Sequence, residues 1–130
     1  MEKITVYKSL FDSKGVAFYI TIDQALERVK IGKSKELIQK IRKESNKEKR
    51  NKLKEKCICV LFNGEFSSRN DNSLVSHSGY CVLDFDNFES KKVLKEQKEL
   101  LKKDKYIYSV FVSPSGNGLK ALVKIPKCTK

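Results

Sequence analysis

Four short apolar runs and one amphipathic helix follow one another in a fixed order after residue 56, and that order leaves few folds open. The runs are CICVLF (57–62), GYCVLDFD (79–86), KYIYSVFVS (105–113) and LKALVKIP (119–126). Each has strand length and is rich in β-branched or aromatic residues. Between the second and third lies FESKKVLKEQKELLKKD (88–104), where Val93, Leu94, Leu100 and Leu101 predict one apolar helix face. SPSGNG, between the last two runs, has turn chemistry, and so short a link joins antiparallel neighbours. In LKALVKIP, Leu119, Ala121, Val123 and Ile125 alternate with Lys120, Leu122 and Lys124. Strand–strand–helix–strand–strand with a tight last turn predicts an α+β fold with a mostly antiparallel sheet. CICVLF is almost continuously apolar and predicts a central strand. Residues 63–78 (NGEFSSRNDNSLVSHS) predict a loop.

The first 56 residues read differently. KITVYK (3–8) alternates like a short strand. Thr21 with Gln24 predicts a capping box that opens a helix, IDQALERVK, with Ile22, Ala25, Leu26 and Val29 on one face and Gly32 as its stop. Ser34 is placed to cap a second helix, KELIQKIRKE, with a narrow stripe of Leu37, Ile38 and Ile41. Residues 46–56 contain only Leu53 as an apolar residue, so a helix there has little to bury. The chain divides into a helical basic segment, 1–56, and a motif-bearing sheet, 57–130, within one domain. At 130 residues the chain is long enough for one real hydrophobic core.

Charge is concentrated in two places. Residues 30–56 carry twelve basic and four acidic residues, and residues 105–130 carry five lysines and no acid, within a chain of formal net charge +12. Basic surfaces of this kind fit a polyanion, because phosphate contacts need little beyond placed Lys and Arg. A solvated lysine-rich helix face is the alternative. Lys40, Arg42, Lys43 and Lys47 are the candidate nucleic-acid contacts in the first segment. No apolar run approaches the ~20 residues of a membrane span, and MEKITVYKSLFDSK lacks the apolar core of a signal peptide. A cytoplasmic protein is the expectation. Cys57, Cys59, Cys81 and Cys128 lack paired C-x-x-C knuckles. They read as small half-buried thiols rather than, with His77, a zinc site.

Two local patterns carry chemistry. In VLDFDNF, Asp84 and Asp86 are two apart at the end of an apolar run. On a strand both carboxylates leave one face, roughly 6–7 Å apart. Such a pair suits Mg²⁺ or Mn²⁺, the hard ions of phosphoryl-transfer sites. The alternative is that the acids end a strand and cap the next helix. In SVFVSPSGNGLKALV, Ser113, Ser115, Gly116, Asn117 and Gly118 form a polar turn followed by Lys120. Glycines admit an anion to the backbone N–H groups, and Ser115 and Lys120 add donors and charge. A plain hairpin turn explains the same residues. Neither a Walker A loop nor a dinucleotide fingerprint fits. Acid pair and basic turn together make a candidate nucleoside-triphosphate site.

HSGYCVLDFDNF followed by YSVFVSPSGNGLKALVKI resembles the archaeo-eukaryotic primase superfamily, and the whole chain resembles the BT4734-like N-terminal domain. The resemblance implies a primase–polymerase-like domain from a mobile element or phage. Asp84 and Asp86 then match the metal-binding acids, and Ser113, Ser115, Gly116, Gly118 and Lys120 match the nucleotide-phosphate turn, with Asn117 inside it. His77 and Gly79 match the stretch before the acid strand, and Arg69 the end of the preceding loop. Lys120 stands where the superfamily places a histidine. The superfamily's third acid has no counterpart after Asp104, since residues 105–130 contain no carboxylate side chain. The resemblance therefore leaves two expectations: the N-terminal part of the complete fold, with a helicase-like region following in the native protein, or a stand-alone relic that binds without polymerising.

The expected function is binding of a nucleoside triphosphate and a single-stranded or template DNA, with Mg²⁺ or Mn²⁺ at Asp84 and Asp86. Asp84, Asp86 and Lys120 are the expected catalytic groups, in a domain incomplete for nucleotidyl transfer on its own. The rivals are a nucleic-acid-binding module without turnover and a small phage protein that binds a host protein.

Overall fold

The computed structural model describes residues 2–9 and 17–127. Cys128 lies outside them. The described chain is α+β, with three small antiparallel sheets. The first sheet has β1 (Lys3–Tyr7) in the middle, flanked by β2 (Phe18–Thr21) and β3 (Cys59–Leu61). β2 was not expected from the sequence. β3 is the heart of CICVLF, and it is an edge strand, not a central one. Its apolar residues are only half-buried. It pairs with β1, through Val6 opposite Val60, rather than with the three later strands.

Residues 63–78 are not a loop. β4 (Gly64–Phe66) and β5 (Leu74–His77) pair across a 3₁₀ turn at Asp71–Ser73. Serines and asparagines hide this pair from a periodicity reading, because its stability comes from side-chain-to-backbone bonds. Thr5 Oγ1, fully buried, donates to Gly64 O and accepts from Phe66 N, each at 2.9 Å, and ties β4 to β1.

The third sheet runs β6 (Tyr80–Phe85), β8 (Leu119–Lys124), β7 (Ile107–Val112). β8 is antiparallel to both neighbours, so β6 and β7 run parallel, joined by α4 (Lys91–Lys102) with β8 inserted between them. This is a split β-α-β unit. α4 opens later than expected because Ser90 Oγ, not Asp86 or Asn87, caps it by accepting from Val93 N. Leu94 is buried and Leu100 is 59% exposed. At 100° per residue Leu101 falls beneath Leu94, and Leu100 falls off that face.

Three further helices precede the split unit. α1 (Ile22–Lys30) has the expected capping box, with Thr21 and Gln24 exchanging both bonds. It ends at Ile31 and Gly32, where φ is +70°. α2 (Lys35–Lys43) begins at Ser34, whose side chain makes no capping bond. α3 (Lys47–Lys54) is capped by Asn46 Oδ1, which accepts from Lys49 N, and it buries no residue.

The core joins the two halves. Leu122 of β8 packs with Ile4, Ile22 and Ala25, bordered by Val60, Phe62, Tyr80 and Val82. Full burial of one such leucine stabilises the fold by about 1.5–3 kcal/mol. No helix among the described residues is long and apolar enough to cross a membrane.

Candidate nucleotide-binding cleft

A cleft of about 930 Å³ lies between α1, α2 and the sheet β6–β8–β7. That volume lies within the ~300–1,000 Å³ of small-molecule sites. Strand alternation sets one wall, because Tyr80, Val82 and Asp84 leave the same side of β6, and Asp84 sits opposite Lys120 of β8. Helical spacing sets the facing wall. Lys35, Ile38, Gln39 and Arg42 share one side of α2, while Ile41 is fully buried. The charged lining is Arg28, Lys35, Arg42 and Lys120 against one carboxylate, Asp84, with His77 also on the wall. Four fixed cations around one acid favour an anionic occupant.

The two acids part company. Lys120 Nζ donates to Asp84 Oδ1 at 2.9 Å. Both side chains are partly exposed, so the pair contributes about 0–1 kcal/mol and gives way easily to a competing ligand. Asp86 lies one residue past the end of β6 and does not line the cleft. Its Oδ1 instead lies against Gly118, where a Cβ would come within 3.0 Å of it and within 2.8 Å of Phe85 O. Only glycine lets the turn approach the acid strand so closely. Asn87 then turns the chain at φ 61°, and Phe88 N donates to Asn117 O at 3.0 Å. Among the described residues no three His, Cys, Asp or Glu side chains form a metal-ligating group.

The 113–118 turn is internally bonded. Ser113 N donates to Gly118 O at 2.9 Å and Gly116 N to Ser113 O at 3.0 Å. Ser113 Oγ lies 3.1 Å from Ser115 Oγ, and Ser115 Oγ donates to Asn117 Oδ1 at 2.5 Å. Gly116 N, one of the backbone groups expected to meet an anion, is therefore already engaged, as is Ser113 N. Arg42 reaches this turn from α2, 71 residues away in sequence, and Nη2 donates to Ser113 O at 3.1 Å.

His77 ends β5 on the cleft wall, and its Nδ1 accepts from Gly79 N at 2.9 Å. A neutral ring in that bond carries its proton on Nε2. Between them Ser78 is buried, donating from Oγ to Phe62 O at 2.6 Å and from N to Asn63 O at 2.8 Å. Gly79 O accepts from Ile125 N at 2.8 Å. The H-S-G stretch thus links the first and third sheets and places one histidine at the cleft.

Other expected contacts fall elsewhere. Lys40, Lys43 and Lys47 are exposed and outside the cleft lining. The Arg69 guanidinium lies 6.0 Å from the Tyr7 ring centroid, outside the lining. Cys57, Cys59 and Cys81 are half-buried free thiols, as expected. Burial pushes the Cys57 thiol up despite the opposing pull of Lys54, which keeps it protonated and unreactive at neutral pH.

A sequence model of the BT4734-like N-terminal domain matches residues 52–130. The chain belongs to this family. Neither the curated proteins nor the solved structures include a match. The match leaves α1 and α2 outside it, yet those helices supply Arg28, Lys35 and Arg42 to the cleft of this BT4734-like domain. Sequence reading missed Arg28 and Lys35 as site residues. The signal was present in the helical spacing, since Arg28 lies between Ala25 and Gly32, and Lys35 shares a side with Ile38 and Arg42. That spacing shows which residues stand together, but not which element they face.

Proposed function

We propose that this BT4734-like domain is a primase–polymerase-like nucleic-acid domain of a mobile element or phage, whose cleft binds a nucleoside triphosphate with Mg²⁺ or Mn²⁺. What carries the reading is the Asp84–Lys120 pair on the wall of a cleft whose other charged groups are all basic. The donor set suits a hard divalent ion. Asp84 is exposed and its pairing with Lys120 is weak, while Asp86 stands outside the cleft lining, against Gly118. Mg²⁺ is commonly held by one or two carboxylates, with substrate phosphates and water completing its shell. Bound there, the ion neutralises phosphate charge and polarises the phosphoryl oxygens. Lys120, released from Asp84, moves its charge to a phosphate. From the 113–118 turn Pro114 lines the cleft, and Ser115 donates to a phosphate once that phosphate displaces Asn117 Oδ1 from its hydroxyl. Lys40, Lys43 and Lys47, exposed on α2 and α3, hold the backbone of a single strand by charge.

The test is thermal unfolding during Mn²⁺ titration to millimolar concentrations, with and without nucleoside triphosphate. The melting temperature of the native protein rises, and the rise is lost in the Asp84→Asn/Asp86→Asn variant. Equal rises in both proteins contradict the site. DNA binding is read as affinity against salt, which falls steeply if phosphate contacts dominate.

One observation favours a second reading, binding without turnover. Asp84 already has its counter-charge in Lys120, and the acids form no three-ligand group among the described residues. Labelled nucleotide incorporation on single-stranded templates separates the two. Products that vanish in Asp84→Ala establish catalysis, and their absence alongside nucleotide binding establishes a binding module.

A further inference from the structure

We propose that Arg42 is a phosphate-binding residue of the cleft and that it grips the polyphosphate tail of the nucleotide above Gly116. The proposal rests on the nucleotide reading and adds to it a residue from outside the family-matched region.

Gly116 has φ +85°, and a Cβ there would lie 3.2 Å from Arg42 Nε, 3.3 Å from Cδ and 3.4 Å from Cγ. The arginine stem therefore lies along the glycine, and the bond from Nη2 to Ser113 O holds the guanidinium at the turn. That bond engages one of five N–H donors. No carboxylate among the described residues lies within ion-pair distance of Arg42, and the residue is exposed and lines the cleft. A planar fork, already oriented by one backbone carbonyl, suits two oxygens of a phosphate. The turn also needs such a group, because the N–H groups of Ser113 and Gly116 are bonded within the turn. Arg42 thus supplies donors where the backbone does not. Lys120, seven residues beyond Ser113 on β8, stands on the same cleft wall as a second cation. Two cations on separate elements select for a chain of phosphates over a single one.

The probes are adenosine, AMP, ATP and inorganic tripolyphosphate, titrated into the full chain in the presence of Mn²⁺. The native protein binds ATP more tightly than AMP. Arg42→Gln lowers affinity for ATP and tripolyphosphate at least tenfold and leaves adenosine within twofold. Arg42→Lys loses less than Arg42→Gln, since charge is kept and the fork is lost. Gly116→Ala strains the turn at φ +85° and shifts the arginine stem by a few tenths of an ångström without removing any charge, and it lowers ATP affinity in the same phosphate-dependent way. Lys95→Gln, on the exposed side of α4, leaves all four affinities unchanged. If Arg42→Gln fails to fold, the Arg42→Lys result decides. An equal loss for adenosine, AMP and ATP shows that Arg42 only shapes the cleft, and overturns the proposal. An ATP affinity unchanged in Arg42→Gln also overturns it, while the nucleotide reading stands. Arg42-dependent binding of tripolyphosphate with no binding of ATP keeps Arg42 as a phosphate-binding residue but overturns its grip on a nucleotide and refutes the nucleotide reading. Binding of none of the probes refutes both.

Discussion

α3 and α4 are both lysine-rich helices, and they stand at opposite ends of how this chain is held together. α4 lies in the crossover of the split β-α-β unit and buries Leu94. α3 buries nothing and rests on its Asn46 cap and intrahelical bonds. The regions they represent differ in the same way. The 80–124 unit has strong apolar strands and a sheet paired along its length, with a register shift between Ile107 and Ser109. The region before residue 56 has short strands, three helices of which α1 and α3 are capped by a side chain, and most of the positive charge. Yet neither is independent, because Leu122 of the later unit is buried by Ile4, Ile22 and Ala25 of the earlier one. The family-matched residues 52–130 carry the sheet, and the earlier helices close both the core and the cleft.

The largest expected effect comes from dividing these regions. A chain of residues 52–130 alone leaves Leu122, Tyr80 and Val82 uncovered and β3 without its partner β1. It is expected to show no cooperative thermal transition by circular dichroism. A sharp transition near that of the full chain would show that the later unit folds alone. A smaller cut at the same junction is Leu122→Ala, expected to cost about 2–5 kcal/mol in urea unfolding. A loss below ~1 kcal/mol would mean that the halves touch without sharing a core.

The two kinds of helix separate at their caps. Thr21→Ala removes the capping box of α1, which buries Ile22 and Ala25, and is expected to cost about 1 kcal/mol of global stability. Asn46→Ala removes a similar bond from α3, but the helix buries no residue, so it frays with a global change of at most a few tenths of a kcal/mol. Hydrogen exchange shows faster exchange confined to residues 47–54. Equal global losses would contradict the comparison.

The smallest effect lies where the regions meet in a hydrogen bond. Tyr108 of β7 donates its hydroxyl to Asp23 Oδ1 of α1 at 2.5 Å, and chiefly this bond pushes the phenol up to about 12. A phenol raised above its unfolded value near 10 contributes its stability in full below pH ~10. That stability is lost as pH rises through about 12. Tyr108→Phe is expected to flatten that part of the stability–pH curve. A curve unchanged by the substitution would remove the bond from the account.

The later unit was largely legible in the sequence because its signals are local. Alternation in LKALVKIP, turn residues in SPSGNG and the apolar run before Asp84 each specify structure within a few residues. CICVLF misled because a continuous apolar run usually marks a buried strand. Here it forms the edge of the small first sheet, and the cleft takes part of its exposed surface. The 64–77 strand pair escaped notice because Thr5, sixty residues earlier, holds it in place. The site was legible in its residue types but not in its grouping. Asp84 opposite Lys120 follows from strand register once β6 and β8 are known to pair. Arg42 on Gly116 follows from no local pattern, because the packing of α2 against a turn 71 residues away decides it. For the same reason Lys40 and Arg42, two residues apart on one helix, end in different places.

The central claim is that the Asp84–Lys120 wall of the cleft receives a nucleoside triphosphate. Its most direct test is equilibrium binding of a fluorescent nucleoside triphosphate, with Mn²⁺ present, to the native chain and to Lys120→Gln. The account expects saturable binding that weakens at least tenfold, about 1.4 kcal/mol, in the variant, with its thermal unfolding little changed because the ion pair is exposed. Equal affinity in the two proteins would contradict it.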